Sequence, residues 1–121
     1  MADDWISDGA FAKKRVTRDD GTEYELAVIE YVEPTNPLND NIDVWVRFGD
    51  GLGWVATFYT PLNIERLLEH ENRTGQDRGG LYFFDPSFLI VRRLDRETIE
   101  AAAEGLIDDG HLESVFERTT D

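Results

Sequence analysis

Apolar and polar residues alternate strictly in two neighbouring segments. In IDVWVRF (42–48), Ile42, Val44, Val46 and Phe48 share one face, and Asp43, Trp45 and Arg47 share the other. In WVATFYT (54–60), Trp54, Ala56 and Phe58 alternate with Val55, Thr57 and Tyr59. Between them, Gly49, Gly51 and Gly53 raise the question of a phosphate-cradling loop. Such a loop runs from a strand into a helix, which aims free N–H groups at the anion. Here a strand follows, the glycine spacing fits neither phosphate motif, no lysine is present and Asp50 would repel an anion. The segment reads as the bend of a hairpin. A loop spanning 49–53 pairs Phe48 with Trp54, Val46 with Ala56 and Val44 with Phe58, so that both apolar rows fall on one face.

The remaining elements follow from the same pattern. YELAVIEYVE (24–33) is β-branched and aromatic enough for a strand, and PTNPLNDN (34–41) is a loop by its prolines and asparagines. TPLNIERLLEHENRTG carries a helix grammar: Thr60 as cap, Pro61 at the first position, Ile64, Leu67 and Leu68 as the buried stripe, and Gly75 at the exit. LYFF (81–84), a DPS bend and FLIVRRL (88–94) predict a second hairpin. Asp95 opens a last long helix that Gly110 stops, and HLESVFER is read as a short helix in preference to a terminal strand. The first 23 residues are the least patterned and are taken as an N-terminal arm, with 24–121 as one α+β domain. The expected architecture is an antiparallel, alternatively mixed, sheet of about five strands with two helices packed on one face.

Charge changes the picture most. Across 121 residues, 26 acids against 12 bases give a net charge of −14, and half of that excess lies in residues 94–121. A binder of nucleic acid or anionic lipid must bring Lys and Arg to phosphates, so neither nucleic acid nor membrane is an expected partner. No segment has the roughly 20 apolar residues that span a bilayer, and no secretory leader pattern opens the sequence, so a cytoplasmic protein is expected. At about 100° per residue, Glu97, Glu100, Glu104 and Asp108 line one ridge of the last helix, opposite Ile99, Ala102, Ala103 and Leu106. Without interleaved lysines this ridge repels itself slightly. It is explained either by adaptation to salt, Lys being scarce beside Arg, or by a basic partner protein.

Catalytic grammar is sparse. Cysteine is absent, the histidines are His70 and His111, and the serines are Ser7, Ser87 and Ser114. None stands in a nucleophile-elbow pattern, and no zinc spacing exists. Ile42 occupies a position where a calcium loop starting at Asp40 needs an oxygen ligand. No catalytic residue, metal or cofactor is therefore assigned. The candidate partner-binding residues are Asp43, Trp45, Arg47 and Tyr59 on the second face of the hairpin, with Thr57 and Tyr31 beside them, together with the ridge Glu97, Glu100, Glu104 and Asp108. Exposed Trp, Tyr and Arg are the residues that anchor interfaces. The same face is covered, in the alternative, by Trp5 and Phe11 of the arm or by a second subunit.

The run FYTPLNIERLL, followed by T-G-x-x-x-G-G-x-Y-F-F, resembles a small bacterial family of about this length, some of whose kind are similar to immunity proteins of toxin systems. The likeness covers residues 42–117, and its motif consists of caps, turns and an aromatic strand. What it implies is a non-catalytic module that neutralises a basic partner. The alternatives are a ligand-binding domain or enzyme with a pocket lined by Tyr31, Trp45 and Tyr59, and a homodimer joined through that face.

Overall fold

Alternating strands build the sheet of the computed structural model, which describes residues 5–29, 36–75 and 77–119. The chain runs β1 (Ile6–Asp8), β2 (Phe11–Thr17), β3 (Glu23–Ile29), β4 (Asn41–Phe48), β5 (Gly53–Tyr59), α1 (Pro61–Thr74), α2 (Asp77–Gly80), β6 (Phe88–Ile90), α3 (Arg96–Asp108), α4 (Leu112–Val115) and β7 (Glu117–Arg118). The strands join one sheet in the order β1-β2-β3-β4-β5-β6, and β7 pairs with β5 beside β6. All pairs are antiparallel except β5 with β6, which α1 and α2 connect as a crossover. The α+β class and the mixed sheet hold, and the sheet is wider than expected.

The extra width comes from the first residues. The segment read as an arm supplies β1 and β2, with Ala12 opposite Val28 and Val16 opposite Tyr24. The central hairpin forms with its faces as expected but with its register shifted by two residues: Val46 pairs with Trp54, Val44 with Ala56 and Ile42 with Phe58. The cause is the loop. Phe48 donates to Leu52 O at 2.9 Å, Gly51 donates back to Phe48 O at 3.0 Å, and Asp50 accepts from the Leu52 N–H at 2.9 Å. Gly51 sits at φ 90°, the left-handed position of a three-residue hairpin loop. Asp50 is thus a turn former.

The core lies on one face of the sheet. Leu26, Val44, Val46 and Phe58 are fully buried there, beneath Ile99 and Ala103 of α3, Leu112 of α4, and Phe116. The first long helix differs from expectation: Ile64, Leu67 and Leu68 are only half-buried, and α1 contributes no buried residue. Its ends are as read. The Thr60 side chain accepts from Asn63 N at 3.3 Å, Pro61 follows it, and Gly75 adopts the left-handed conformation. Thr60 is itself buried, and its Oγ1 also accepts from Asp40 N. Thr60→Ala is therefore expected to cost about 1–2 kcal/mol in urea unfolding.

LYFF does not form a strand, and no second hairpin exists among the described residues: β6 alone remains of that pair. Positive φ at Arg78, Gly79 and Gly80 redirects the chain there. A Cβ on Gly80 would stand 2.4 Å from Leu68 O, so only glycine lets this turn press against α1. The C-terminal segment forms the expected short helix, α4, and then also the short strand β7. No helix among the described residues is long and apolar enough to cross a membrane.

Candidate functional site

The eight candidate residues separate onto the two faces of the sheet. Asp43, Trp45, Arg47 and Tyr59 stand on the face opposite the core, and the four acids stand on α3, which packs against the core face. They form two distinct groups.

The acidic group is engaged within the chain. Glu100 accepts from the Trp5 indole N–H at 2.7 Å and from Lys14 Nζ at 2.6 Å. Glu104 accepts from the Tyr24 hydroxyl at 2.6 Å and from Arg18 Nε at 2.9 Å, and Asp108 pairs with the same guanidinium. The expected self-repulsion is thereby relieved by cations 86 residues away in sequence. The ridge faces solvent only if the sheet ends at β3; β2 extends it, and Lys14 and the following Arg18 meet the acids. Glu97 alone of the four has no such partner described and is exposed.

Burial raises the Tyr24 hydroxyl well above its ordinary range, and its hydrogen bond to Glu104 adds to this. The same hydrogen bond, followed by that of Arg18, holds the Glu104 carboxyl below the usual value. A carboxyl depressed in the folded state contributes stability above its unfolded pKa and loses it as pH falls through the folded value. Glu104→Gln should thus destabilise the protein at neutral pH. It should also shrink the loss of Tm seen between about pH 6 and about pH 3. A variant with the wild-type acid slope would refute this role for Glu104.

The opposite face is arranged differently. The Phe11 and Trp45 rings meet edge to face at 5.3 Å, and both are half-buried. Phe11, Lys13, Glu25, Ala27, Trp45 and Arg47 surround an open depression of about 250 Å³. All six belong to β2, β3 and β4, with the small, buried Ala27 opposite Trp45 in the sheet register. Arg15, Glu25 and Arg47 form one cross-strand row of alternating charge beside it. Lys13 is held by Asp8 at 3.2 Å, and Arg47 is exposed. Asp43 accepts from Thr57 Oγ1 at 2.7 Å.

Tyr59 does not belong to this open area. It is buried, its ring meets Phe83 and Phe88 edge to face at 4.8 and 6.3 Å, and its hydroxyl donates to Asp85 at 2.5 Å. Burial first, and Asp85 second, raise its pKa. The segment after α2 therefore closes one end of this face and leaves the Phe11–Trp45 region open. The expected cover by the arm is divided: Phe11 stands beside Trp45, whereas Trp5 crosses to α3, where Arg96 lies 5.3 Å from its ring. Tyr31 lies outside the described residues.

Lys13, Glu25 and Ala27 are the residues that sequence reasoning left out of this site, and Phe11 entered it only as an alternative cover. The alternation of Phe11, Lys13 and Arg15 against Ala12, Lys14 and Val16 was the available signal. His70 and His111 are both exposed, and no group of three metal-ligating side chains is found among the described residues. Comparison of the chain with protein-family models, with curated proteins and with solved structures finds no match in any of the three.

Proposed function

We propose that this chain is a non-catalytic, acidic protein-binding module that docks a net-basic partner on the Phe11–Trp45–Arg47 face of its sheet. The observation that carries the proposal is the aromatic pair Phe11 and Trp45, solvent-facing beside Arg47, around a depression lined by strand residues alone. Trp and Arg are enriched among the few residues that carry most of the binding energy in protein interfaces. A small-molecule pocket usually encloses roughly 300–1,000 Å³ and covers most of its ligand. An open depression of about 250 Å³ suits a side chain presented by a protein better.

The partner's charge follows from the field of the whole molecule. A net charge of −14 repels a second copy at long range and accelerates encounter with a basic surface. Neutralisation of a basic toxin, as the resemblance to immunity-type proteins implies, is the form of this reading that joins the charge to the open face.

Affinity capture from the source cell with the wild type and with a Trp45→Ala/Arg47→Glu variant tests it. The wild type should retain a basic protein at low salt that the variant loses and that high salt releases. Equal retention by both, or capture of an acidic protein or of the chain itself alone, would contradict the proposal.

A further inference from the structure

A second recess lies on the other side of the sheet, where the core layer ends. Phe48 and Trp54 carry the core face up to the β4–β5 hairpin, and Ile107 and Leu112 carry the helical layer to the α3–α4 corner. The two layers do not close on each other. The opening is about 290 Å³, lined by Phe48, Leu52, Trp54, Ile107, Leu112 and Glu113. Gly110 completes the lining, and its left-handed conformation, φ 75°, keeps a larger side chain from filling the gap.

This volume is nearly twice the ~150 Å³ apolar cavity that admits benzene, so an aromatic or branched aliphatic side chain fits within it. Only Leu112 among its apolar walls is fully buried, which leaves rings and methyl groups facing solvent. The rim is acidic. Glu113 lines the opening, Asp109 adjoins Gly110, and Asp50 holds the Leu52 amide. All three carboxylates are exposed, and among the described residues no ion pair joins them to a cation, whereas Asp108 is held by Arg18. Arg118, 5.9 Å from the Trp54 ring, is the neighbouring cation.

We infer that this groove is a docking site for a protein segment presenting one apolar side chain flanked by Lys or Arg. The apolar walls supply the pocket, and the carboxylates select the flanking charge. A second copy of the chain is disfavoured as occupant because it brings −14 to an acidic rim. The groove is separate from the Trp45 face, so each site stands or falls alone.

The test is amide-shift mapping by NMR on the full chain. The probes are a short amphipathic Leu/Lys peptide and its Leu/Glu counterpart. The Leu/Lys peptide should shift the amides of Phe48, Leu52, Trp54, Ile107 and residues 110–113, and salt should weaken it. The Leu/Glu peptide should shift nothing. Leu52→Asp and Glu113→Lys should each weaken binding about tenfold, a loss of roughly 1.4 kcal/mol. Glu113 is exposed, so its variant keeps the test valid if Leu52→Asp disturbs the fold, which peak dispersion reports. Three results would overturn the inference: shifts centred on Phe11, Ala27 and Trp45, binding unchanged in Glu113→Lys, or no saturable shift. The first would leave the sheet-face proposal standing.

Discussion

Phe58→Ala is expected to lower the free energy of unfolding by about 3–5 kcal/mol, a large fraction of the roughly 5–15 kcal/mol that holds a domain folded. Phe58 is fully buried, and it lies opposite Ile42 on one side of β5 and Leu89 on the other. Its ring meets Phe116 edge to face at 5.9 Å. The antiparallel and parallel parts of the sheet and the residue that joins α4 to β7 therefore converge on one side chain. Truncation leaves a void that surrounding strands fill only in part, because their backbone ladder fixes their spacing. Phe58→Leu, which keeps most of the volume, should cost less than about 2 kcal/mol. Urea unfolding followed by tryptophan fluorescence measures both. A loss below about 1 kcal/mol for the alanine variant would contradict the placement of Phe58 at the centre of the core.

Trp45→Ala should weaken partner binding by about 2 kcal/mol or more, close to 30-fold in Kd. The effect should appear mainly as faster dissociation, since the anchor acts after encounter. Removal of an exposed acid such as Glu97 should instead slow association and reduce its salt dependence, because the acidic field acts before contact. The stability of Trp45→Ala should change far less than that of Phe58→Ala, since Trp45 is half-buried on the face opposite the core. Surface plasmon resonance over a range of salt concentrations, paired with thermal unfolding, separates the two effects. A Trp45→Ala protein with normal affinity would remove the anchor from the account.

Much of this was legible in the sequence, and the failures have physical causes. Caps were read correctly because they are local: Thr60 and Asp95 each bond an amide three residues on. The faces of the central hairpin were legible from alternation, but its register was not. A slip of two residues preserves every inward and outward assignment, so the pattern cannot detect it, and the Asp50–Gly51 turn decides. The strand β2 was obscured by Lys14, a charge at an inward position. It is tolerated because Glu100, 86 residues away, receives it.

The same contact explains why the acidic ridge read as self-repelling, since its cations Lys14 and Arg18 lie on, and just after, a strand that had not been identified. LYFF shows propensity overridden by context. Leu81 and Phe84 are exposed, and only Phe83 turns inward, against Tyr59. Of the site, Trp45 and Arg47 were legible from alternation, whereas Phe11 and Ala27 join them only once β2 and β3 are placed beside β4.

Hydroxyl-radical footprinting of the isolated complex addresses the docking face itself. The account predicts that Phe11 and Trp45 lose reactivity when the basic partner is bound, while Trp5, beneath α3, keeps the reactivity it has in the free chain. Protection confined to α3 and its acids, with Phe11 and Trp45 as reactive as before, would contradict it.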